Sequence, residues 1–229
     1  MIHTDLHIHS CLSPCSDNDM TPEAVVRAAK EAGLELIALT DHNSDRNCAA
    51  AAAAAEAAGI GFIPGIEVTT AEEIHCICLL PDVRKLAAFS RWLDTLRISI
   101  PSRPAVFGKK MAFGAPDRIR QERELLYMAR RISVNDLPAA VRQYGGLVWP
   151  AHADKPSNSV YSVLGCWPED LEMDAVELYG EEEPPGLPDG LPRLRCSNAH
   201  RLWDIRSPGW PLPLETPDFE GLRKYLLGE

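Results

Sequence analysis

The sequence predicts an α/β fold, built on a largely parallel sheet of about seven strands, enough to close a barrel. Three observations carry this. Short β-rich runs alternate with amphipathic helical stretches, and parallel neighbours need a crossover that is usually helical. The helical stretches carry start and stop signals at their ends. Of the seven histidines, His7, His9, His42, His75, His152 and His200 fall at or near predicted strand ends, and only His3 lies elsewhere. In parallel barrels the C-terminal strand ends carry the functional groups.

Taken in order, "MIHTDLHIH" reads as a strand and "TPEAVVRAAKEAG" as a helix, with Thr21 as N-cap, Pro22 at the first helical position and Gly33 as its end. "LELIALTDH" is a strand, the alanine run of "RNCAAAAAAAEAAG" a helix, and "IGFIPGIEVTT" a strand. "EEIHCICLLPD" reads as another strand and "VRKLAAFSRWLDTLR" as a helix. Residues 99–117 hold prolines and glycines with no clean period, which predicts a long loop. Helices are expected around "RIRQERELLYMARR" and over "SVNDLPAAVRQYG", the latter capped by Ser133. "GGLVWPAH", "DAVELYG" and "RLRCSNAH" are the remaining strands, 180–192 an acidic proline-rich loop, and "TPDFEGLRKYLLG" a capped closing helix.

The length of 229 residues suits one domain over 1–229 with an excursion near 99–135. Apolar residues at 45% and charged residues at 24% are ordinary globular values. A net charge of −10 opposes binding to nucleic acid or to an anionic membrane. There is no apolar run of the ~18 residues that a membrane span requires, and no basic stretch precedes an apolar core at the N-terminus, so a cytoplasmic protein is expected. Seven cysteines without a CxxC pair suit reduced thiols. Cys11 and Cys15 flank the turn after the histidine pair and are candidates for a redox or additional metal role.

In "DLHIHS", side chains at i and i+2 leave the same strand face, so His7 and His9 can aim at one point. Several imidazoles brought together would repel one another when protonated. A divalent cation compensates the arrangement. The set therefore predicts a metal site.

The motifs "DLHIHS", "SDNDMTP", "LTDHN", "PGIEVTT", "AHAD" and "SNAH", in that order, resemble the polymerase and histidinol phosphatase (PHP) superfamily of metal-dependent phosphoesterases. The resemblance implies a distorted (β/α)7 barrel with two or three divalent ions (Mn, Zn or Fe) at the C-terminal strand ends. It implies that His7, His9, Glu67 and residue 198 hold the first ion. Glu67 then bridges to a second held by His75 and His152, and Asp17, His42 and His200 hold a third. Glu67, His42 and His200 are the expected catalytic residues. The family usually ends with Asp-x-His, whereas this chain has Asn198, which lacks the carboxylate charge and predicts a weaker first site.

The expected reaction is hydrolysis of a small phosphomonoester (a nucleotide, sugar or histidinol-type phosphate) by a metal-bound hydroxide. Asp5 and Asp41 are candidates to accept the second N–H of an imidazole. Lys155 and Arg201 are candidates for substrate phosphate, and Lys109 and Lys110 for a lid. Two alternatives remain open: a catalytically weakened phosphate-ligand or metal-binding module, motivated by Asn198, and a C–N hydrolase of the amidohydrolase type. The second lacks an obvious strand lysine for carbamylation.

Overall fold

Strand β1 (Ile2–Ile8) pairs in parallel with β2 (Leu36–Leu39), and β2 with β3 (Gly61–Thr69). The computed structural model describes residues 1–114, 118–206 and 209–229. The crossovers are helical as expected. Helix α1 (Pro22–Glu31) starts at Thr21, whose hydroxyl accepts from the Ala24 amide, and turns at Gly33 with φ 79°. Helix α2 (Cys48–Ala58) carries the alanine run back to β3.

The sheet then departs from the parallel expectation. Strand β4 (His75–Leu79) runs antiparallel to β3, because residues 70–74 are too short for a crossover. After α3 (Val83–Asp94), strand β7 (Leu147–Pro150) pairs antiparallel to β4 and so returns to the direction of β3. A late strand, β10 (Trp210–Leu212), adds antiparallel to β1, which gives a mixed six-stranded sheet in the order β10-β1-β2-β3-β4-β7. A second, parallel pair comprises β8 (Val176–Glu177) and β9 (Arg193–Leu194). The Asp174 amide donates to Val148 O (2.9 Å) and the Ala153 amide to Glu177 O (2.8 Å), which ties β8 beside β7. On the other side, Ile8 and Ala199 form a parallel bridge. The result is a mixed α/β fold with a curled sheet.

Two predicted helices are corrected. Around 118–131 the chain forms β6 (Arg118–Gln121), which pairs antiparallel with β5 (Met111–Gly114) after a short helix α4 (Pro104–Phe107). This stretch has no apolar stripe to bury as a helix. The hairpin is instead held from outside: Asn47 Oδ1 accepts from the Phe113 amide (2.7 Å) and Arg46 pairs with Glu122. Residues 115–117 of the predicted loop lie outside the described residues. Helix α5 (Leu137–Gln143) begins a turn later than predicted, since Ser133 bonds Asp136 and Pro138 suits the first turn. Helix α6 (Val160–Leu164), with its Ser159 cap, was not foreseen.

Both faces of the sheet are buried. Ile37, Leu39, Ile66 and Val68 pack against α1–α3 through Val25, Val26, Ala51 and Phe89. Leu6, Leu36, Ile63, Ile77 and Trp149 fill the inner side, closed at one end by Phe219 and Leu222 of helix α7 (Phe219–Leu227). Leu6 and Ile8 belong to different cores because the β1–β2 register shifts between Asp5 and Ile8. Such an irregularity re-aims side chains. Here it turns His7 and His9 toward the inner side, near Glu67 of β3.

Candidate metal centre

Glu67 is 1% exposed and stands among five imidazoles. Its Oε1 lies 3.4 Å from His7 Nε2, 3.0 Å from His75 Nδ1 and 3.3 Å from His152 Nε2. Its Oε2 lies 3.3 Å from His9 Nε2 and 2.9 Å from His42 Nδ1. These residues come from β1, the loop after β2, β3, the start of β4 and the end of β7. The antiparallel β4 therefore contributes its N-terminal residue, His75, where its parallel neighbours contribute C-terminal ends. His200 stacks on His9 with ring centroids 4.3 Å apart, and Asn198 Oδ1 lies 3.2 Å from His9 Nε2. His152 and Asn198 both sit at positive φ, 32° and 49°, strain of the kind that functional sites hold.

The imidazoles are oriented by partners that fix which nitrogen faces inward. His7 Nδ1 donates to Glu177 (3.0 and 3.1 Å), leaving Nε2 toward Glu67. His9 Nδ1 donates to Ser13 Oγ (3.0 Å), whose hydroxyl donates to Asp41 Oδ1 (2.6 Å). His200 Nδ1 donates to Asn198 O (2.7 Å). This corrects the roles expected of Asp5 and Asp41. Asp5 accepts from the Ser197 and His7 amides, and Asp41 reaches His9 only through Ser13. Asp41 also takes the Ser10 amide and hydroxyl, so it braces the loop after β1.

Charge follows this geometry. Burial favours the protonated acid at Glu67, but His75, His42 and His7 outweigh it and hold the carboxyl well below its ordinary range. Burial opposes an imidazolium at His7, yet Glu177 and Glu67 push it up to about 10. Burial and the His42 charge bring His200 down to about 4. His9, His42 and His152 are lowered as well, chiefly by burial. Burial and Glu67 push the Cys15 thiol up to about 12.

Both Glu67 oxygens and His42 Nδ1 are buried with no hydrogen-bond partner of good geometry, although they lie close together. Converging lone pairs of this kind fit a bound cation. Ligand atoms of His7, His9 and Glu67, of His42, Glu67 and His75, and of His9, Cys15, His42 and His200 lie within 4.8 Å of one another in each group. A cleft of about 140 Å³ opens onto Glu67, lined also by Tyr127, Lys155, Ser157 and Asn158. The Tyr127 ring stands edge-on to His42 and His75 (4.8 and 5.5 Å), and its hydroxyl donates to Asn158 Oδ1 (3.1 Å).

The remaining predicted residues divide. Lys155 borders the cleft. Arg201 turns to Asp17 (3.6 Å) and lies over the Trp203 ring (5.6 Å). Asp17 thus faces Arg201 and is absent from the three converging groups. Lys110 is buried, its ammonium donating to Ser16 O, so it is an anchor and not a lid. Glu177, Ser13 and Tyr127 were not foreseen. A lone glutamate inside the apolar "DAVELYG" was the one available signal for Glu177; Tyr127 gave none.

Among known proteins, the PHP domain family model matches residues 5–132. A 3',5'-nucleoside bisphosphate phosphatase of Chromobacterium violaceum is 40% identical over 77 residues, covering 34% of this chain but only 26% of that protein. In structure, the lesion-specific endonuclease Q of Pyrococcus furiosus superposes with a TM-score of 0.68 at 19% identity, over 99% of this chain and 56% of that one. A Bifidobacterium adolescentis protein provisionally described as a metal-dependent phosphoesterase gives a TM-score of 0.62 at 18% identity, over 98% of this chain and 95% of its own. Among the described residues no helix is long and apolar enough to cross a membrane.

Proposed function

The chain belongs to the PHP domain family, and from that premise we propose that it is a metal-dependent phosphoesterase acting on a small phosphomonoester in the cytoplasm. The observation that carries this reading is Glu67, buried with its two oxygens divided among five imidazoles at 2.9–3.4 Å. The strand order supports a distorted (β/α)7 barrel of one domain, with β1, β2, β3, β4, β7, β8 and β9 as staves and Ala199 returning to Ile8. The donor set suits two or three ions of the Mn, Zn or Fe kind. His7, His9, Glu67 and Asn198 would hold one, and Glu67, His75 and His152 a second. His42 and His200 would hold a third, for which the resemblance also offers Asp17, 3.6 Å from Arg201 here.

When bound, such ions supply a nucleophile at neutral pH and offset charge on the phosphoryl oxygens. The protein's own groups do the rest. Glu177, Ser13 and the Asn198 carbonyl hold three imidazoles in the tautomer that presents Nε2 inward. Burial keeps His200 and His42 neutral and able to donate lone pairs. Glu67, His42 and His200 border the cleft and form the catalytic set. Lys155, which borders the cleft, would pair with a phosphoryl oxygen. The cleft of about 140 Å³ would take a phosphoryl group, with the rest of the ester outside it. The charge of −10 works against a long polynucleotide, and the likeness to endonuclease Q speaks to fold alone.

The test is bound metal per chain, by elemental analysis of protein purified without chelator or metal-affinity tag, beside phosphate release from a panel of monoesters. Two or three ions, lost in His9→Ala together with turnover, are expected. Asn198→Asp should raise both affinity and turnover, since it restores a charge 3.2 Å from His9 Nε2. Metal binding with no turnover in either the natural chain or Asn198→Asp would instead establish the binding-module alternative.

A further inference from the structure

We infer that Cys15 is a metal ligand, and that with His42 and His200 it forms a nitrogen-and-sulfur site selecting a borderline-soft ion such as Zn²⁺ over Mg²⁺ or Mn²⁺. The inference deepens the metal-centre reading above and rests on it. One ligand atom from each of Cys15, His42, His200 and the adjoining His9 lies within 4.8 Å of the others. Cys15 also lines the same cleft as His42 and His200.

The inward nitrogens are chosen by the fold. The Asn198 carbonyl occupies His200 Nδ1, so that ring presents Nε2, whereas His9 Nε2 is committed to the first ion beside Glu67 and Asn198. His42 is 2% exposed, and its ring belongs both to this group and to the Glu67 group, toward which its Nδ1 turns (2.9 Å from Oε2). The carboxylate that the family resemblance offers here, Asp17, is absent from this group. Its backbone amide donates to His200 O (3.0 Å), yet its side chain faces Arg201. Cys11, four residues before Cys15, sends its Sγ–H to Met111 O. Among the described residues Cys15 is thus the cysteine that joins a histidine group.

A thiolate in place of a carboxylate changes selectivity more than charge. Both contribute one negative charge, but thiolate is soft, whereas Mg²⁺ and Mn²⁺ favour oxygen donors. Two imidazoles and one thiolate, with a fourth position open, match a tetrahedral Zn²⁺ set. On binding, the Sγ–H bond breaks, sulfur ligates the ion and the proton leaves to solvent.

The test titrates the metal-free full chain with Co²⁺, a spectroscopic stand-in for Zn²⁺. The natural chain should develop near-ultraviolet sulfur-to-cobalt charge-transfer absorption that Zn²⁺ removes and Mg²⁺ does not. Cys15→Ser and Cys15→Ala should each lose this absorption and one ion per chain, while Asp17→Asn and Cys11→Ser keep both. Circular dichroism of each variant checks that it folds. Cobalt binding without the absorption, or an unchanged spectrum in Cys15→Ser, overturns the assignment of Cys15 and leaves the wider metal centre standing. A folded natural chain that binds no cobalt overturns both.

Discussion

Replacing Glu177 by Gln probes how far the centre depends on a residue that touches no ion. Glu177 is 2% exposed, and its oxygens lie 3.0 and 3.1 Å from His7 Nδ1. Gln keeps the shape and one acceptor while removing the charge. At 3.0 Å and an effective dielectric of 20, the attraction to a full imidazolium is about 5.5 kcal/mol, an upper bound. With an ion on Nε2 the ring is neutral, and only its enhanced basicity is lost. Removing such a partner costs about 10–100-fold in metal affinity, or about 1.4–2.7 kcal/mol. An opposing effect acts in the metal-free protein, where Glu177 and Glu67 push His7 up to about 10, so the ion must displace a proton. Glu177→Gln weakens that competition. The net loss should therefore sit at the low end of the range near pH 7 and grow as pH rises toward 9. Calorimetric titration in buffers of different ionisation enthalpy reads both affinity and protons released, and the variant should release fewer. Natural affinity at every pH, or a deficit that shrinks as pH rises, would refute the reasoning.

Three further outcomes follow from the geometry. His200 is held near 4 against 6.5 for a free imidazole, so the unfolded chain binds the proton more readily between these values. Its contribution is complete above about pH 6.5 and is lost as pH falls toward 4, at most about 3 kcal/mol; urea unfolding of metal-free His200→Asn should show a shallower acid decline than the natural chain. Asn47 is fully buried, donating to Ser10 Oγ (2.7 Å) and Met111 O (3.2 Å) and accepting from the Phe113 amide. Asn47→Ala should cost about 3 kcal/mol and speed hydrogen exchange at Phe113, since buried partners are left unpaired. An added Cβ at Gly61 would overlap the Pro217 carbonyl oxygen, so Gly61→Ala should lose about 1–3 kcal/mol and lower the melting temperature by several degrees.

The elements that the sequence made legible are those whose local pattern and tertiary role agree. β1, β2, β3 and β7 are apolar runs between capped helices, and both their faces are buried. β10 carried no strand signal, since Pro211 and Pro213 interrupt it, yet an edge strand tolerates proline, and Pro211 stands opposite His3. The 118–131 stretch was misread because its own composition favours nothing strongly. What decides it is remote: Asn47 and Arg46 at the start of α2 hold the hairpin, and no window along 118–131 contains that information.

The candidate site divides in the same way, and the division explains its chemistry. Residues that supply lone pairs on strand ends were readable, because imidazoles two residues apart on a strand, or just past its end, have few other reasons to accumulate. Residues that fix those imidazoles were not, because a glutamate, a serine and a backbone carbonyl are common everywhere. The family resemblance pointed to Asp17, whereas in the fold its carboxylate lies 3.6 Å from Arg201 and it is Cys15 that lines the cleft. At Glu67 the two kinds of information meet. A glutamate in "PGIEVTT" marks a strand end, but only the bulge in β1 and the reversed direction of β4 bring His7, His9 and His75 to it. A straight β1 in regular register would send His7 and His9 to the helix side, and a parallel β4 would carry His75 to the opposite end of the sheet. The irregularities of this fold therefore assemble the centre.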